Sequence, residues 1–185
     1  IELYRIGDSP VAPSFNVVCK PNDWAKTVRS EVKAASEASP LKRKQMEFWS
    51  KLNEKTLETK AGFRPQKPSP QHWNNFSLGR SGVNGACIIN STEKRLGVEV
   101  NVTHQNSKVV FQRLHARKDE IEQMLGYTLD WRELPDRHAC RILVFKDSFD
   151  FNNESEWGAG VDWLIEHASK FSTVFRPIIK EISFD

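Results

Sequence analysis

Hydrophobic positions change period several times along the chain, and the changes mark out its elements. From about Lys44, Met46, Trp49 and Leu52 recur at three-residue steps with Leu57 beyond them, which predicts a helix with one apolar face. The stretch Arg64-Pro65-Gln66-Lys67-Pro68-Ser69-Pro70 fits neither a helix nor a central strand. Trp73 to Leu78 then reads as a strand, ended by Gly79-Arg80-Ser81-Gly82. Ala86 to Asn90 and Arg95 to Thr103 read as a hairpin around Ser91-Thr92-Glu93-Lys94. Its second arm alternates cleanly: Leu96, Val98, Val100 and Val102 take one face, and Arg95, Gly97, Glu99 and Asn101 the other. Phe111, Leu114, Ile121 and Leu125 share the face of one further helix, with Gly126 where a C-terminal cap belongs. Leu129, Trp131 and Glu133 start another strand, and Ala139 to Lys146 is a nearly continuous apolar run. The last helix runs from about Ser155 and carries Trp157, Val161, Leu164, Phe171, Phe175 and Ile178, with Pro177 expected to kink or split it.

The order helix, three strands, helix, two strands, helix predicts an α+β fold: one antiparallel sheet of about five strands with helices packed on it. Ahead of it, Ile1 to Ile6 and Phe15 to Cys19 look like short strands, with a turn at Gly7-Asp8-Ser9-Pro10 and a close at Pro21-Asn22-Asp23-Trp24. Two such strands do not make a stable unit by themselves. Residues 1–25 are therefore expected to be the end of a preceding domain, 26–43 a linker and 44–185 the α+β domain. Ile1 in place of an initiating Met suits a piece of a longer protein, and Thr27 to Ser39 reads as a loosely helical connection.

Composition narrows the class. A chain of 185 residues with 38% hydrophobic positions and six Trp supports one good-sized core plus additional chain. No apolar run approaches the roughly 18 residues of a membrane-spanning helix, and no signal peptide opens the chain, so no membrane partner is expected. Cys19, Cys87 and Cys140 are odd in number and far apart, which suits a reducing compartment and a cytoplasmic location. The net charge of +3 is unevenly spread: Lys26 to Pro70 holds eleven basic and five acidic residues, and 71–185 fourteen and sixteen. The basic part, with Lys42-Arg43-Lys44 at its centre, could attract phosphates; a solvated linker with one amphipathic helix explains it more simply.

Few motifs carry chemistry. His72, His104, His115, His138 and His167 show no metal-binding spacing, and Asp147, Asp150, Glu154 and Glu156 lack that of a calcium loop, so neither metal nor cofactor is expected. Glu31-Val32-Lys33 matches the tripeptide of PD-(D/E)XK nucleases by chance, with no strand to carry it. Phosphate-binding and serine-hydrolase signatures are absent from the sequence. Arg95, Glu99 and Asn101, joined by Lys108 and Lys118, could form a polar surface for a phosphate or a peptide; an ordinary solvated sheet face is the plainer account. Trp49, Trp131, Trp157 and Trp163 occupy core-type positions.

Several segments together resemble a known family. They are Phe48-Trp49-x-x-Leu52, Arg95-Leu96-Gly97-Val98-Glu99-Val100, Lys108-x-x-Phe111-x-x-Leu114, Lys118-x-Glu120-Ile121-Glu122, Gly126-x-x-Leu129-x-Trp131-x-x-Leu134, Arg141-Ile142, and the closing Trp157, Trp163, Phe171 and Phe175. From about Lys44 to Ile182 the chain is similar to the bacterial and archaeal domain of unknown function numbered four-two-six-eight. The resemblance implies a C-terminal appendage to a PD-(D/E)XK nuclease-like domain, with the nuclease motif upstream and no catalytic residues to carry over. The function expected is a non-catalytic accessory or regulatory module of a DNA-processing or defence-type protein, with DNA as partner through Lys42, Arg43, Lys44, Arg95, Glu99, Asn101, Lys108 and Lys118. The alternative is a protein-interaction domain or a homo-oligomer. An enzyme in its own right would need Glu99, Asn101 and Lys118, or the acidic loop, to converge.

Overall fold

The computed structural model describes residues 39–185 together with two short strands, β1 (Glu2–Tyr4) and β2 (Ala12–Ser14). The chain divides into two compact units, residues 1–39 and 40–185. In the first, β1 and β2 pair antiparallel with Leu3 opposite Pro13. The expected strand at Phe15 to Cys19, the turn at Gly7, the tripeptide at Glu31 and the connection from Thr27 lie outside the described residues, apart from Ser39.

The second unit is the expected α+β fold. Its sheet has the order β3-β4-β5-β7-β6, antiparallel throughout, with β3 at Trp73–Arg80, β4 at Val83–Asn90, β5 at Arg95–Val102, β6 at Asp130–Arg132 and β7 at Cys140–Lys146. Helix α1 spans Pro40–Glu58, α2 Ser107–His115, α3 Lys118–Leu125 and α4 Trp157–Glu181. Helix α2 packs on β5 and β7, α4 runs across β3, β4 and β5, and α1 and α3 pack against α4. One sheet face therefore meets the core. Leu96, Val98, Val100 and Val102 are all fully buried there, as their alternation requires.

Three expectations need correcting. The buried stripe of α1 is Gln45, Phe48, Trp49, Leu52 and Thr56, which repeats at three and four residues. Met46 and Leu57 fall off that stripe and are 38% and 72% exposed. A three-residue step drifts around a helix of 3.6 residues per turn, so the series from Met46 cannot stay on one face. The helix expected over Phe111 to Leu125 is broken at Ala116–Arg117 into α2 and α3. The break lets α2 follow the sheet while α3 turns onto α4, where Arg117 holds Glu120 at 2.7 Å and Glu181 at 2.9 Å. Pro177 does not split α4, which runs unbroken to Glu181. The neighbouring Arg176 fastens it by donating to the carbonyls of Gly62 and Ser77, each at 3.1 Å.

Trp49 and Trp157 are core residues, while Trp131 and Trp163 pack half-buried against the core. Two close approaches need glycine. A methyl group on Gly85 would stand 2.2 Å from the ring of Phe76 on β3, and one on Gly160 would stand 2.5 Å from Phe149.

Candidate functional site

Strand pairing assembles the opposite sheet face from residues far apart in sequence. One row across it reads Asn75, Ala86, Glu99, Leu143 and Asp130. The next reads Ser77, Asn84, Asn101, Arg141 and Arg132, and a third Trp73, Ile88, Gly97 and Phe145. Arg132 and Arg141 stand directly opposite one another, a like-charge pairing that costs stability. Two ion pairs offset it, and a third holds the neighbouring Arg95. Glu99 lies 3.6 Å from Arg141, Asp130 accepts from Arg132 Nε at 2.8 Å, and Glu93 holds Arg95.

This face was expected to be solvated, and its centre is not. Glu99 is only 5% exposed, and Gly97 is buried as well. Over Gly97 the cover comes from β7: the ring of Phe145 reaches it, where a methyl group would meet the ring at 3.0 Å. Arg95 in turn lies over Phe145, its guanidinium 3.8 Å from the ring centre, which is cation–π distance. Burial raises the Glu99 carboxyl above the usual carboxylate range, against the opposing pull of Arg141 and then Arg132. His72 is shifted down, by desolvation first and the charge of Arg141 second.

The face is concave. A hollow of about 390 Å³ is bounded by His72, Trp73, Asn75, Glu99, Asn101 and Arg141. It shares His72, Ile88 and Arg141 with a neighbouring hollow of about 400 Å³ that reaches Arg95, Arg132 and Leu41 of α1. On its other side Asn75 and Asn84 also line a larger hollow of about 700 Å³ at the β3–β4 turn. The three form one trough. Its smaller central part is the chemically distinctive one, because two acceptors are buried there without a hydrogen bond: Asn101 Oδ1, and Glu99 Oε2 with the Arg141 guanidinium beside it at 3.6 Å. Asn84, by contrast, donates to Asn75 Oδ1 at 3.3 Å. At the rim Trp73 is 36% exposed, with His72 edge-on at 4.5 Å between ring centres.

Arg95, Glu99 and Asn101 thus meet as their alternation requires, and the remaining residues singled out in the sequence lie elsewhere. Lys108 is occupied on α2, where its Nζ donates to the carbonyls of Glu133 at 2.5 Å and Leu134 at 2.7 Å. Lys118 opens α3 against α4, so it does not converge with Glu99 and Asn101. Lys42, Arg43 and Lys44 are in the first turns of α1, and Lys44 pairs with Glu154 at 2.9 Å. The acidic loop is used internally. Asp150 pairs with Lys94 at 3.1 Å, Glu156 accepts from the Asp150 amide at 3.0 Å, and Phe149 and Phe151 anchor the loop in the core. Among the described residues no group of three or more His, Cys, Asp and Glu side chains is placed to hold a metal ion.

The family model for the domain of unknown function DUF4268 matches residues 44–179. The chain belongs to this family. No curated protein and no solved structure matches it significantly. The family match covers every strand of the five-stranded sheet and the lining of the trough apart from Leu41. Among the described residues no helix is long and apolar enough to cross a membrane.

Residues that sequence reasoning missed are Arg132, Arg141, His72, Trp73, Asn75 and Asn84. Strands β3, β4, β6 and β7 offer one or two each, His72 stands just before β3, and only the register between strands puts them together.

Proposed function

We propose that the chain is a non-catalytic accessory module of a DNA-processing or defence-type protein and meets nucleic acid with the open face of its sheet. One observation carries the reading. Three arginines, Arg95, Arg132 and Arg141, are gathered on one concave face beside an exposed tryptophan, on the side away from the helix-packed core. Arginine pairs with phosphate through a planar fork, and an aromatic ring at the rim gives a base a surface to stack on. The resemblance to a C-terminal appendage of a nuclease-like domain supplies the wider context, in which this module would position its neighbour on a strand.

Each arginine already has a carboxylate neighbour, so a phosphate has to compete for it and binding is expected to be modest. If three phosphates replace three carboxylates on a single strand, the logarithm of affinity falls against the logarithm of salt with a slope of about −2. Fluorescence anisotropy of the full chain with labelled single-stranded and duplex DNA, across a salt series, measures this. Affinity that ignores salt, or no binding at low salt, rules the reading out.

Self-association is the second reading. Leu41 and Trp73 flank Ile88 at the trough and leave apolar surface there. Light scattering over a concentration series tests it, and a strict monomer dismisses it.

A further inference from the structure

Glu99 Oε2 and Asn101 Oδ1 are buried acceptors that make no hydrogen bond, on residues two apart in one strand that both line the central hollow. A buried polar atom left unpaired costs stability, so a site that keeps two of them suits a ligand that brings donors. The guanidinium of Arg141 lies 3.6 Å from Glu99 Oε2, which sets a donor beside an acceptor. Trp73 presents a flat apolar surface at the mouth, and Ile88 lines the wall.

From these features, and resting on the nucleic-acid reading above, we infer that the hollow receives one unpaired base bearing an exocyclic amino group. The Glu99 and Asn101 side chains turn toward the entering base and accept from its N–H groups, its ring nitrogen or carbonyl accepts from Arg141, and its plane stacks on Trp73. Cytosine, adenine and guanine each place an amino or imino N–H beside an acceptor on their pairing edge. Thymine and uracil offer one N–H between two carbonyl oxygens, and one of those oxygens would face the carboxylate. Acidic side chains read the cytosine amino group by the same chemistry in DNA grooves, and discrimination of this kind spans roughly five- to 150-fold. The base has to be unpaired, because in a duplex its pairing edge is already occupied. Single strands are read in this way on sheet surfaces with exposed aromatics.

The test uses the full chain and short labelled homopolymers of deoxycytidine, deoxyadenosine and deoxythymidine, an abasic strand of equal length, and the ribose series of cytidine and uridine. Deoxycytidine or deoxyadenosine is expected to bind at least about tenfold tighter than deoxythymidine and the abasic strand. Glu99→Gln removes one acceptor and is expected to bring the preference down to about twofold, while the abasic strand binds somewhat tighter because Arg141 loses the carboxylate that competes with phosphate. The ribose series separates DNA from RNA as the source of the base. Equal affinity for all strands, abasic included, overturns this inference and leaves backbone contact standing. No affinity for any strand overturns both readings. Should Glu99→Gln prove poorly folded, Asn101→Leu tests the second acceptor, and retention of the full preference in that variant also overturns the inference.

Discussion

Removing Arg141 isolates the charge of Glu99. Arg141→Ala deletes the guanidinium 3.6 Å from a carboxylate that is only 5% exposed. At that separation, with an effective dielectric of about 20, the attraction is on the order of 4 kcal/mol. Arg141 is itself 43% exposed at its side chain and therefore well screened, so the expected loss of stability at neutral pH is about 1–2 kcal/mol. For a chain of this length that corresponds to a fall of roughly 2–8 °C in Tm. The loss has a pH signature. Burial raises the Glu99 pKa in the folded state, so its ionisation opposes folding as pH rises from the ordinary glutamate range through the folded value. Below that window Glu99 is protonated and Arg141→Ala costs little; above it the full cost appears. Other charged or titratable groups on this face are Arg95, Arg132, Asp130 and His72, and burial shifts His72 down, away from carrying a charge at neutral pH. Urea unfolding of wild type, Arg141→Ala, Glu99→Gln and the double variant, each on both sides of the window, closes the cycle. In the Glu99→Gln background, Arg141→Ala is expected to cost only a few tenths of a kcal/mol. A cost that is equal at both pH values and survives in the Glu99→Gln background refutes the assignment of the charge to Glu99.

Further expectations concern the scaffold and the charges outside the trough. Lys108→Met removes two charge-assisted hydrogen bonds that hold Glu133 and Leu134, the latter at φ +54°, and is expected to cost about 1.5–3 kcal/mol in urea unfolding without changing the salt slope of DNA binding. A change in slope without a loss of stability would place Lys108 at the interface instead. Gly85→Ala puts a methyl group 2.2 Å from the Phe76 ring and displaces it from Phe63, whose ring centre is 4.9 Å away; overpacking of this kind costs about 1–3 kcal/mol, and thermal unfolding at wild-type temperature would show that the ring gives way freely. Arg132→Ala removes one phosphate contact and is expected to flatten the single-strand salt slope by about 0.7, which the same anisotropy series reads; an unchanged slope removes Arg132 from the contact.

The fold was legible wherever one period ran undisturbed. Strand β5 alternates because one face is packed against helices, so its core side could be read directly from Leu96 to Val102. Helix α1 was legible in kind and misread in phase, because Gln45 and Thr56 belong to its buried stripe and polar residues do not announce burial. The break between α2 and α3 left no mark: Ala116 and Arg117 are good helix formers, and the turn there answers to α4, far along the chain. At the trough, alternation alone joined Arg95, Glu99 and Asn101. Arg141 and Trp73 needed the register of three strand pairs, which no local pattern encodes. Lys108 and Lys118 do not join them, because the turn after β5 carries both onto helices.

If nucleic acid lies on the open sheet face, the side-chain N–H signals of the full chain report on it directly. Indole donors of Trp49 and Trp157 are held inside by the carbonyls of Gln71 and Phe151, and that of Trp131 by Glu122, whereas Trp73 stands at the trough rim. During titration with a single-stranded oligonucleotide at low salt, NMR is expected to show the Trp73 indole and the Nε–H signals of Arg95, Arg132 and Arg141 shifting together while Trp49, Trp131 and Trp157 stay in place. Shifts confined to Lys42, Arg43 and Lys44 and the helices, with Trp73 and the three arginines unmoved, would contradict it.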